Sequence, residues 1–182
     1  MTRTVRGLSA LLLAASLGAP LGGCSRWRLR REGEKAVRAY NDLLVVSYRT
    51  NDASGLGSVA GPDELRRLTT LIDLKARAAL ALESRLEGFE VLGVEPAGAD
   101  GLVVRTCELW RYWDRPLRPG LAAGTVHVSR MWMTWELSRE AGTWKVRSGR
   151  TERSEYLEPQ GQGPRPDQAG RDGLPPAPGR TR

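Results

Sequence analysis

One acidic residue in this chain sits among aromatic neighbours. Glu108 lies in the run Leu102–Trp113, LVVRTCELWRYW, with Trp110 and Tyr112 at the next two alternate positions. In a β-strand these three side chains share one face. Burial in an apolar pocket disfavours the charged form of a carboxyl group, which suits such a group to general acid or base work. The same pattern also serves a structural end, a buried Glu paired to an arginine or to a tryptophan N–H. Trp135 and Trp144 join that face from later strands. The set Glu108, Trp110, Tyr112, Trp135 and Trp144 therefore reads either as core or as the lining of a pocket for a small apolar or sugar-like ligand. His127, the one histidine, falls near a strand start, as a rim residue or an acid–base group. Cys107 reads as a small buried apolar residue. No serine or cysteine triad can be assembled, and no zinc spacing, calcium loop or glycine-rich phosphate loop is present. No metal and no cofactor is expected.

The elements that must place these residues are long strands. Leu102–Trp113 and Thr125–Ser138 hold four of the six tryptophans and no internal Pro or Gly. Both are rich in β-branched and aromatic residues. A third strand, Thr143–Thr151, follows a turn at Arg139–Gly142. That turn would pair Ser138 with Thr143, setting Leu137 opposite Trp144 and Trp135 opposite Val146. One face then carries Met131, Met133, Trp135, Leu137, Trp144, Val146 and Ser148, and must be covered. If Trp113 pairs near Val126, Leu102, Val104, Thr106, Glu108, Trp110 and Tyr112 join it. The other face collects Arg105, Arg111, Arg130, Thr134, Glu136, Lys145 and Arg147. Trp132 falls on this polar face near Leu109 and Val128. It serves there either as an interface anchor or as a ring packed under the 114–124 loop.

Ahead of the strands, Ala36, Val37, Tyr40, Leu43, Leu44, Ser47 and Tyr48 follow helical spacing over 32–50, and Asn51-Asp52 stops the helix. After a small-residue connection at Ala53–Ala60, with room for one helical turn, Gly61-Pro62-Asp63-Glu64 starts a second helix. It is predicted to run to about Leu86, with Leu65, Leu68, Ile72, Ala79, Leu82 and Leu86 inward. Phe89–Glu95 is then a first strand, and Pro96–Gly101 a turn. Helices first and an antiparallel sheet last define an α+β class, with N-terminal helices packed on a curved antiparallel sheet.

That order, with the closing strand Gly142-Thr143-Trp144-Lys145-Val146, resembles the cone-shaped nuclear transport factor two-like superfamily. Cys107-Glu108-Leu109-Trp110-Arg111-Tyr112 and Met131-Trp132-Met133-Thr134-Trp135-Glu136 are similar to the intermembrane-space domain of chloroplast-division proteins and its bacterial relatives. The resemblance spans about residues 34–152. It implies a curved sheet wrapped on helices, with a pocket open at one end. Enzymes of the superfamily use an Asp, Tyr or His in that pocket for proton transfer. Tyr40, Asp42, Glu108, Tyr112 and His127 are the residues here that match in kind. The superfamily also dimerises through the outer sheet face.

The ends of the chain differ from its body. Arg3 and Arg6 precede the apolar run Leu8–Leu17, which is too short to span a bilayer comfortably, and small residues follow. This is secretory signal architecture. Leu21-Gly22-Gly23-Cys24 resembles the bacterial lipobox, which implies diacylglycerol on the Cys24 thiol and a membrane anchor there. Ser25 after it, by the same analogy, permits outer-membrane sorting in a diderm bacterium. Arg26, Arg28, Arg30 and Arg31 then lie against anionic headgroups, or form a solvated linker. The net charge of +7 belongs to the ends. Acidic and basic residues balance between 32 and 156, so no nucleic-acid partner is expected. The organisation expected is a lipoprotein signal peptide at 1–23, an anchor and basic linker at 24–32, the cone-shaped domain at 33–156, and a disordered Pro/Gly-rich tail at 157–182.

Three functions fit. The first is a non-catalytic, lipid-anchored protein of the bacterial cell envelope, on its periplasmic side, whose domain binds a protein partner or itself through Leu109, Val128 and Trp132. The second is a carrier or sensor holding a small ligand in the aromatic pocket. The third is an isomerase or hydratase using Glu108.

Overall fold

The computed structural model describes residues 23–157 and 161–162. Two helices, α1 (Gly23–Thr50) and α2 (Pro62–Arg77), flank a short 3-10 helix at Ser54–Ser58. The strands follow as β1 (Leu80–Pro96), β2 (Gly101–Pro116), β3 (Thr125–Glu140) and β4 (Thr143–Tyr156), with a two-residue β5 (Gly161–Gln162). β1 to β4 form an antiparallel meander in chain order, and β5 pairs with β3. The helices lie on one face of this curved sheet, so the class is the expected α+β.

α1 is anchored by its apolar stripe. Val37, Tyr40 and Ser47 are buried, and Ala36, Leu43, Leu44 and Tyr48 pack at the margin of the core. Asn51 ends the helix in the left-handed region (φ 52°), and its Nδ2 donates to the Leu80 carbonyl at 2.9 Å. The helix starts at Gly23 and runs through 24–32 into the domain, where Arg30 Nη2 donates to the Val91 carbonyl at 2.6 Å. The signal peptide expected at 1–23 lies, Gly23 apart, outside the described residues. So does most of the tail, although Gly161 and Gln162 pair with Val126 and Thr125.

α2 starts where Pro62, Asp63 and Glu64 place it, but it stops at Arg77, not near Leu86. Ala79 turns the chain with φ 55°, and 80–86 belong to β1. Leu82 and Leu86 fit the helical spacing, but Leu80, Leu82, Ser84 and Leu86 also fit a period of two, and the edge of β2 was there to pair with them. The first strand is thus 17 residues long. It carries one extra residue at Glu87 and another at Leu92 relative to β2. β4 carries extra residues at Arg147 and Glu152 relative to β3. Bulges bend and twist the strands that hold them, which curves the sheet over α1.

The β2–β3 register is the expected one, with Leu102 opposite Leu137 and Tyr112 opposite His127. Leu102, Val104, Thr106 and Glu108 are buried on the covered face. The β3–β4 register differs by two residues. Glu140 pairs with Thr143 across a two-residue turn, Ala141 and Gly142, both at positive φ (48° and 82°). The inward set survives this shift up to Val146, which faces Leu137. The bulge at Arg147 then turns Ser148 outward, where its hydroxyl donates to Glu136 at 3.1 Å. Gly149 takes the inward place opposite Trp135. A Cβ on Gly149 would lie 2.3 Å from the indole, so the ring occupies space that only glycine leaves.

Candidate functional site

A cavity of about 360 Å³ opens between α1 and the inner face of the sheet. Asn41, Leu44 and Tyr48 come from α1, Leu82 and Ser84 from β1, Glu108, Trp110 and Tyr112 from β2, and Met131, Met133 and Trp135 from β3. Alternation along β2 and β3 delivers every second residue to it, and helical spacing delivers 41, 44 and 48.

Glu108 is 1 % exposed. Its Oε1 accepts from Thr106 Oγ1 at 2.7 Å and Trp135 Nε1 at 3.1 Å. Its Oε2 accepts from Trp110 Nε1 at 2.8 Å and Asn41 Nδ2 at 3.3 Å. Trp135 Nε1 also reaches Thr106 Oγ1 at 3.0 Å. Four donors fill the acceptor positions of the carboxylate. The group is therefore built in as an acceptor that fixes two indoles and one amide. Asn41, its Nδ2 committed to Glu108, keeps an Oδ1 that is buried and without a partner. Ser84 Oγ is in the same condition. Tyr112 brings its hydroxyl within 3.5 Å of Ser129 Oγ. Burial raises the phenols of Tyr48 and Tyr112 above their ordinary value.

Of the residues expected at a pocket, Glu108, Trp110, Tyr112 and Trp135 come together. Trp144 does not. It faces Arg139 near the β3–β4 turn and lines a separate groove with Glu32 and Lys35. Its Nε1 donates to Glu32 at 2.9 Å, and the Arg139 guanidinium lies 5.7 Å from its ring. No β4 residue lines the cavity, and Gly149, opposite Trp135, carries no side chain. Tyr40 stands behind the cavity: its ring meets Trp135 edge-on at 5.3 Å, and its hydroxyl donates to buried Glu64, which Arg67 also holds. Burial first, and then the Glu64 charge, push the Tyr40 phenol far above its ordinary value. Asp42 is exposed. His127 stacks on Tyr112 at 5.3 Å and lines an adjoining hollow with Lys75 and Asp114, which are ion-paired at 2.6 Å.

On the outer face, Leu109 and Trp132 are half-buried, and the Arg153 guanidinium lies over the Trp132 ring at 4.6 Å. Val128, expected beside them as an interface residue, is 4 % exposed and is not presented to a partner.

Asn41, Leu44, Tyr48, Leu82 and Ser84 were not expected at a site. Asn41 carried a readable signal, since it is four residues after Val37 and three before Leu44, a polar residue on an apolar stripe. Ser84 carried none while 80–86 read as helix.

No family model and no curated protein matches the chain. Among solved structures, the intermembrane space region of the chloroplast protein ARC6 superposes with a TM-score of 0.61 at 15 % identity, covering 67 % of this chain and 95 % of that one. A hexachlorocyclohexane dehydrochlorinase, LinA type 2, gives 0.47 at 14 % identity over 72 % and 93 % of the two chains. The LinA type 3 enzyme of Novosphingobium barchaimii LL02 gives 0.46 at 15 % over 71 % and 94 %. At 15 % identity the likeness to the ARC6 region is one of fold alone, helices packed on a curved antiparallel sheet.

Proposed function

We propose that this chain is a non-catalytic binding protein of the bacterial cell envelope, lipid-anchored at Cys24, whose cone cavity holds a small and largely apolar ligand. One observation carries the binding reading: two buried polar atoms, Asn41 Oδ1 and Ser84 Oγ, lack partners in residues that line an otherwise aromatic and aliphatic cavity. Buried polar groups without partners are costly, and a bound molecule that hydrogen-bonds them removes the cost. The volume is in the range of small-molecule sites. Proton-transfer catalysis has less support, because the acceptor positions of Glu108 are filled by protein donors. Protein interaction through the outer face has less support too, with Val128 buried and Trp132 under Arg153. The anchor rests on the sequence around Cys24.

The test uses N-phenyl-1-naphthylamine, a neutral apolar probe whose fluorescence rises on leaving water. Saturable binding at one site per chain is expected, abolished in Ser84→Phe, which fills the cavity. Binding that survives Ser84→Phe, or none at all, would remove this reading. Cys24→Ser is expected to move the protein from the membrane to the soluble fraction; retention in membranes would remove the anchor.

A further inference from the structure

The cavity has a charge as well as a shape. Glu108 places a carboxylate in its wall, and all four of its protein partners are neutral. The ion pairs among the described residues do not include it. No Lys, Arg or His lines the cavity. Of the two unpartnered polar atoms, Asn41 Oδ1 can only accept a hydrogen bond. Two indoles and two phenols, Trp110, Trp135, Tyr48 and Tyr112, make up the aromatic lining. The N–H edges of both indoles are turned to Glu108, which holds the rings in fixed orientations.

Each of these features repels an anion and suits a cation. The face of an aromatic ring is negative and attracts ammonium groups, most strongly where water is excluded. A carboxylate without a counter-charge adds to that potential, since buried charges in proteins are ordinarily paired. The two methionines, Met131 and Met133, supply soft and polarisable surface around it. A carboxylate or phosphate ligand would meet ring faces, an acceptor oxygen and a like charge, with the hydroxyls of Ser84, Tyr48 and Tyr112 as its donors and no cationic side chain to balance it.

We infer that the ligand is an organic cation, a quaternary ammonium or protonated amine carried on an apolar body. This rests on the cavity reading above and specifies its chemistry. The charged head sits among the aromatic rings near Glu108, and any N–H or O–H it carries meets Asn41 Oδ1.

The experiment titrates the purified protein with choline and with 3,3-dimethylbutan-1-ol, its uncharged carbon isostere, following tryptophan fluorescence. The two probes match in shape and differ in charge. Choline is expected to bind at least about tenfold more tightly. Glu108→Gln is expected to reduce that ratio to about twofold. Trp110→Leu keeps the carboxylate and removes one ring, and should also reduce the ratio; it serves if the Gln variant does not fold. Equal affinities, or a preference for the alcohol, would overturn the cation assignment while leaving a small-ligand cavity in place. A choline preference unchanged in both variants would put the binding elsewhere and overturn it as well. If neither probe binds and N-phenyl-1-naphthylamine also fails, the cavity reading itself falls.

Discussion

Replacing Glu108 by leucine should cost the fold about 4 kcal/mol. The figure follows from the four contacts. Hydrogen bonds to a charged group contribute about 1.5–3 kcal/mol each when buried and short. Two here are short, from Thr106 at 2.7 Å and Trp110 at 2.8 Å. The others are weaker or shared: Asn41 stands at 3.3 Å, and the Trp135 N–H keeps Thr106 Oγ1 at 3.0 Å as a second acceptor. Glutamine should cost less, roughly 2 kcal/mol. Its amide nitrogen can take the place of Oε1, where the Thr106 hydroxyl can turn from donor to acceptor. Urea unfolding followed by circular dichroism gives both values, and it avoids reporting from tryptophans that the substitution itself touches. The denaturant slope should be unchanged. A leucine variant within about 0.5 kcal/mol of the parent would refute the reasoning, since it would mean the donors do not depend on the carboxylate.

Three further outcomes follow from the same geometry. Gly149→Ala should destabilise by about 1–3 kcal/mol, because its Cβ would enter the Trp135 ring; calorimetry showing a gain would contradict the packing described. The phenols of Tyr40, Tyr48 and Tyr112 are raised by burial, so the folded chain holds their protons more tightly than the unfolded chain. Their contribution is fully present below the unfolded value, near pH 10, and is lost as pH rises through the folded values. Phenolate absorbance should therefore appear late, together with unfolding; full titration of a folded chain near pH 10 would contradict it. Trp132→Ala should leave the mass in solution unchanged, and loss of a dimer on light scattering would bring the outer-face interaction forward.

Much of the sheet was legible because alternation is a strict rule. Leu102, Val104, Thr106 and Glu108 show it, and the polar set Arg105, Arg111 and Arg130 opposite them fixed which face turned inward. Turn and bulge positions were not legible. Ala141 at positive φ is an uncommon choice for the first place of a two-residue turn, so nothing in its type announced the shorter hairpin. The extra residues at Leu92 and Arg147 carry no mark of their own, yet the second moved Ser148 out and Gly149 in. Trp144 was misplaced for the related reason that an inward face extends over about fifteen residues of strand, and sharing a face does not mean sharing a cavity. The α1 side of the site was half legible: Leu44 and Tyr48 lay on a plain apolar stripe, and Asn41 became informative only once its neighbour across the cavity was known to be a carboxylate. Residues 80–86 at the head of β1 were hidden because Leu82 and Leu86 satisfy both a helical and a strand spacing.

The measurement that tests the central claim most directly is native mass spectrometry of the protein purified from the envelope without denaturation. The account predicts a retained organic molecule of a few hundred daltons, one per chain, that is absent from Ser84→Phe. A wild-type protein free of any small molecule, unable to take up N-phenyl-1-naphthylamine, would contradict it.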